Sequence, residues 1–82
     1  MIYEKEVLFR AVLEISDYMG NKAKMYLWEG IDNIGISAIQ KSFNKRAPNS
    51  GEGKSSRCYL EVWKDKIIVK IIELNIIKEN EN

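Results

Sequence analysis

Gly53-Lys54-Ser55 has the residue types that close a phosphate-binding loop, where glycine lets backbone amides approach phosphate and lysine meets its charge. The full pattern needs a glycine five positions ahead of Gly53, and Pro48 stands there. It also needs a strand before the loop and a helix after it. Here the order reads as helix, loop, strand, so the tripeptide reads as a flexible connector. Cys58 is the one thiol, and no histidine exists to deprotonate it. Set among strand-forming residues, it reads as a small buried hydrophobe. The lack of histidine also removes the commonest acid–base residue. The carboxylates are scattered and form neither a catalytic pair nor a metal-ligand set. The chain reads as non-enzymatic, without cofactor or metal.

Charge offers a second candidate. Lys41, Lys45, Arg46, Lys54 and Arg57 face only Glu52 within residues 41–57, a local charge of +4. Residues 1–40 carry −2 and residues 58–82 carry −1, so the whole chain is +1. The basic stretch is a candidate for phosphates of nucleic acid or of an acidic membrane surface. It lacks interleaved aromatics, so base stacking is not indicated. A solvated basic loop is the plainer reading.

Eighty-two residues make one domain, 1–82, of a size that is marginal alone and often oligomeric. A hydrophobic fraction of 45% is ample for a core. A single cysteine rules out an internal disulfide framework and suits a reducing, cytoplasmic interior. Glu4, Lys5 and Glu6 interrupt any signal-like apolar run, and no segment nears the roughly 20 apolar residues of a membrane span.

These residues must be positioned by a small set of elements. Residues 2–19 read as an amphipathic helix, with Leu8, Ala11, Val12, Ile15, Tyr18 and Met19 at three-and-four spacing. Gly20-Asn21 is read as its stop. Residues 21–44 read as a second helix, continuous or broken near Glu29-Gly30, with Gly30 and Gly35 permitting close packing. Residues 45–56, with the sole proline and two glycines, read as a loop. Residues 57–77 read as a β-hairpin and residues 78–82 as a frayed polar tail. No internal repeat is read in the chain.

The hairpin is the densest apolar stretch. A turn at Asp65-Lys66 sets Trp63 opposite Ile68, Glu61 opposite Lys70 and Tyr59 opposite Ile72. A turn at Lys64-Asp65 would keep the faces and shift the partners. Both faces are apolar, and Leu74, Ile76 and Ile77 extend past the first strand. A lone two-stranded hairpin is marginal in water, so other elements must cover it.

Tyr18-Met19-Gly20 closing a first helix, and Glu29 to Phe43 (EGIDNIGISAIQKSF) in a second, resemble the start of the 4-vinyl reductase superfamily of hydrocarbon-binding domains. The resemblance spans Val7 to Val69. It implies an α/β module that dimerises and encloses a small apolar ligand. The family spaces its helix glycines four apart, whereas Gly30 and Gly35 are five apart.

The expected fold is α+β: two N-terminal helices packed on a C-terminal antiparallel hairpin, completed by dimerisation. The expected function is protein–protein interaction by a small self-associating or regulatory module, through Trp63, Ile68, Leu74, Ile76 and Ile77. Binding of an apolar ligand, or of nucleic acid through residues 41–57, are the alternatives.

Overall fold

A computed structural model describes residues 7–31, 33–49 and 51–79 of the chain. The element order is β1 (Val7–Asp17), β2 (Lys22–Gly30), α1 (Ile36–Arg46), β3 (Lys54–Lys64) and β4 (Ile67–Leu74). The strands form one antiparallel sheet in the order β2-β1-β3-β4. This overturns the expectation of two N-terminal helices on a hairpin. Residues Val7–Asp17 and Lys22–Gly30 are strands, and the one described helix begins at Ile36.

The physical reason lies in β1. It is flanked by a strand on each side and buried on both faces at its centre, where Ala11, Val12, Leu13 and Glu14 are all buried. A strand apolar on both faces loses its alternation, and its apolar positions can then mimic a helical stripe. The residues read as a helix stop, Tyr18 to Asn21, form the β1–β2 turn. The Asp17 carboxylate accepts from the Met19 and Asn21 amides at 2.9 Å each and from Asn21 Nδ2 at 3.0 Å. Gly20 takes a φ of +86°, as a turn here requires.

One face of the sheet carries the core. Ala11 and Leu13 from β1 meet Cys58 and Leu60 from β3 under Ile39, Phe43 and Ala47. These last three recur every four residues, the stripe that lets α1 bury one side. Gly35 accepts the first helical amide, Ile39 N–H, at 2.9 Å without a side-chain cap. Lys45 and Arg46 sit in the last turn, where cations suit the helix dipole. Gly30 and Gly35 do not pack helix on helix. They flank the Trp28 indole, which fills the space a side chain at either position would need.

The chain after Leu74 is tied back to α1. Gln40 Nε2 donates to the Ile77 carbonyl at 2.8 Å, and the Glu79 amide donates to Asn44 Oδ1 at 2.8 Å. Lys78 Nζ donates to the Ala47 carbonyl at 2.8 Å and to Asn49 Oδ1 at 2.6 Å. Lys78 and Glu79 are therefore held, not frayed; residues 80–82, like residues 2–6 of the expected first helix, lie outside the described set. The expected loop is also shorter, since α1 runs to Arg46 and β3 starts at Lys54.

Asp65 and Lys66 both have positive φ, 58° and 67°, as the two-residue turn of a twisted hairpin requires. Trp63 stands opposite Ile68, as expected. A bulge then shifts the register: Lys70 pairs Val62, Glu61 pairs Ile71 and Tyr59 pairs Glu73. The Glu61–Lys70 cross-strand pair does not form.

The seam between β1 and β3 shows a repeat that the sequence reading missed. Residues 10–15, RAVLEI, and residues 57–62, RCYLEV, lie side by side in antiparallel register about the Val12–Tyr59 pair.

Candidate functional site

The second face of the sheet carries no helix, yet Tyr59 on it is only 2% exposed. Long charged side chains roof it. The Arg10 guanidinium lies 5.1 Å from the Tyr26 ring centroid and 5.0 Å from that of Trp63, bridging β2, β1 and β3. Arg57 lies 4.5 Å from the Tyr59 ring and Lys24 6.0 Å from it. Cation–π contacts of this kind join apolar area to a solvated head, which is how a single-layer face is closed without a second layer.

Each cation here also has a carboxylate. Arg10 Nε donates to Glu29 at 3.0 Å, and Arg57 Nε donates to Glu73 at 2.8 Å. Lys22 and Lys24 both lie 3.9 Å from Glu14. Glu61 accepts from the Trp63 indole at 3.0 Å. Charge is thus neutralised within the face, and the rings are already stacked on the chain's own cations. The arrangement suits structural closure of this face. A cleft of about 270 Å3 beside it is lined by Leu8, Arg10, Trp63, Asp65 and Lys66.

The β4 strand is different. It is an edge strand, and five of its six aliphatic residues are exposed, on both faces: Ile67 61%, Ile68 42%, Val69 52%, Ile71 49% and Ile72 37%. Edge strands expose unpaired amides and carbonyls, and natural proteins commonly blunt them with charge or proline. The opposite edge, β2, carries Lys22, Lys24 and Glu29 in that role. On β4 only Lys70 and Glu73 interrupt the apolar run, and Glu73 is held by Arg57.

No protein-family model, curated protein or solved structure matches this chain. The segments that carried the family resemblance are placed as the β1–β2 turn and as the end of β2, its connection and most of α1.

Of the five residues expected at an interface, Ile68 and Ile77 are exposed, Ile77 with its carbonyl held by Gln40. Trp63 is half-buried against Arg10. Leu74 pairs with Cys58, and it and Ile76 pack on the core cluster. The exposed edge residues Ile67, Val69, Ile71 and Ile72 were not among those expected at an interface. The signal for them was the lack of charge in IIVKII, which the helical reading of residues 2–44 obscured by leaving β4 no edge to be compared with.

The five basic residues do not form one loop patch. Lys41, Lys45 and Arg46 belong to α1, Lys54 opens β3, and Arg57 pairs with Glu73 on the face away from the helix. Lys41, Lys45 and Arg46, with Ala38 and Ser42, line a cleft of about 350 Å3 on the helix's outer side. Cys58 is buried in the core, and desolvation, then the charge of Glu73, pushes its thiol up to about 11. Among the described residues no three histidine, cysteine or carboxylate groups gather as a metal site. No described helix is long and apolar enough to cross a membrane.

Proposed function

We propose that the chain is a small protein–protein interaction module that self-associates by pairing its β4 edge with that of a second copy. The observation that carries this reading is the exposed aliphatic edge from Ile67 to Ile72, with 37% to 61% of each of its five aliphatic residues in solvent. Antiparallel pairing of two β4 strands about a two-fold axis normal to the sheet would extend it to eight strands. The main chain supplies hydrogen bonds, and the aliphatic side chains supply apolar burial on both faces. The outer edges of such a dimer are the two β2 strands, whose Lys22 and Lys24 oppose further growth. The association closes at two.

The experiment is native mass spectrometry with light scattering over a range of concentrations, on the unmodified chain and on Ile68→Lys/Ile71→Lys. A dimer that the double variant reduces to a folded monomer supports the reading. A monomer at high micromolar concentration overturns it. Extra mass of a few hundred daltons on the unmodified chain would instead favour binding of a small apolar ligand.

A further inference from the structure

The β1–β3 seam is symmetric in charge and in volume. About the central Val12–Tyr59 pair, Arg10 stands opposite Glu61 and Glu14 stands opposite Arg57. Toward the helix, Ala11 stands opposite Leu60 and Leu13 opposite Cys58, a small residue against a large one both times. A half-turn about that centre carries Arg10 onto Arg57, Leu13 onto Leu60 and Glu14 onto Glu61. It also relates two ion pairs, since in each hairpin the seam arginine reaches a glutamate on the outer strand, Glu29 or Glu73. Both outer strands carry a bulge, near Leu27 in β2 and near Val69 in β4.

A strand that reads arginine, small residue, any residue, leucine, glutamate is self-complementary in antiparallel pairing. Its arginine meets glutamate, and its small residue meets leucine, whichever copy it faces. Cross-strand neighbours of this kind select a partner and fix a register.

We propose that β1 and β3 are two copies of one self-complementary pairing strand, and that a second copy of this chain is the partner either strand accepts when the seam opens. In that contact β1 meets β1 and β3 meets β3, with the same arginine–glutamate and small–large matches on either side of the centre, where Val12 meets Val12 and Tyr59 meets Tyr59. The contact uses the seam strands and not the β4 edge, so it stands whether or not edge pairing occurs.

The test reverses the pattern on one seam strand, in the full chain carrying Ile68→Lys/Ile71→Lys so that β4 is disabled. Arg57→Glu/Glu61→Arg sets like charges opposite each other across β1–β3, while β1–β1 and β3–β3 pairings keep their opposite charges. Native mass spectrometry is expected to show a shift from one chain to two at micromolar concentration, with the β-sheet circular dichroism kept. Adding Arg10→Glu/Glu14→Arg restores opposite charges across β1–β3 alone. The like charges that the four substitutions create toward Glu29, Glu73, Lys22 and Lys24 are common to one chain and two, and the particle is expected to return to one chain. The proposal is overturned if the two-residue seam variant stays a folded single chain. It is also overturned if that variant unfolds without associating, or if the four-residue variant does not revert. A parent that is still assembled with β4 disabled counts against edge pairing alone, and the seam is then read from the change in chain number.

Discussion

The Trp28 indole nitrogen lies 2.6 Å from the point where a Cβ on Gly35 would stand. The indole's six-membered ring crowds Gly30 in the same way. The glycines thus shape the turn from β2 into α1 around one aromatic side chain, and they do so as gaps rather than as flexible joints. Neither has a positive φ.

Gly35→Ala is expected to destabilise the fold by about 1–3 kcal/mol, the range of overpacking a filled site. Trp28→Ala in the same chain should remove most of that penalty, because the clash goes with the indole. Gly20→Ala meets nothing within 4 Å, and its cost of about 1 kcal/mol comes from the positive φ alone. Urea unfolding of the four variants, with the double-mutant cycle evaluated at Gly35 and Trp28, checks this.

Ile76→Lys and Ile71→Lys are expected to fail in different ways. Ile76 packs on the core cluster, so a lysine there should lower stability by about 2–4 kcal/mol, with any loss of association following from unfolding. Ile71 is half-exposed on the edge, and its replacement should cost under about 1 kcal/mol of fold stability while weakening association. Thermal unfolding at low concentration, set beside sedimentation at high concentration, separates the two. Similar melting points for both variants would contradict the placement of Ile76.

Two ends of the pH scale should destabilise the protein for opposite reasons. Burial holds the Cys58 thiol protonated up to about 11, against 9.0 for a free thiol. In the pH 9 to 11 window the unfolded chain releases a proton that the folded chain keeps, so stability falls as pH rises. A disulfide reagent at pH 8 should therefore modify Cys58 at the rate of global opening, accelerating in urea. At the acid end, Asn21 holds Asp17, and Arg57 holds Glu73, below their usual carboxylate values. Both groups contribute stability above their unfolded values near pH 4, and that contribution is lost as pH falls through their lower folded values. Carboxyl chemical shifts followed from pH 6 to 2 check the direction for each.

Much of the second half of the fold was legible in sequence. The two-residue turn at Asp65-Lys66 was one of two positions open in the sequence, and the Trp63–Ile68 pair came with it. The rest of that register was lost to one bulge at Val69, which no local residue type announces. The first half was misread because Leu8, Ala11, Val12 and Ile15 fit a helical spacing, while a strand buried on both faces at its centre shows no alternation to set against it. Gly20 was a stop signal in either reading, since a helix end and a strand turn need the same left-handed residue. The edge became legible only when β4 could be set against β2, because exposure of an aliphatic run depends on which neighbours the topology supplies.

The seam has a consequence for how the chain reaches this state. Each hairpin closes over a short turn, so both can form within microseconds, before any distant contact. β1 and β3 are separated by β2, α1 and three connections, so their pairing closes the longest loop in the sheet. Loop-closure entropy grows only as the logarithm of length, and lengthening the 47–53 connection should leave the refolding rate nearly unchanged. Weakening the Leu13–Cys58 or Ala11–Leu60 pairs should slow refolding more than weakening a pair within either hairpin, because the seam pairs close the longest loop.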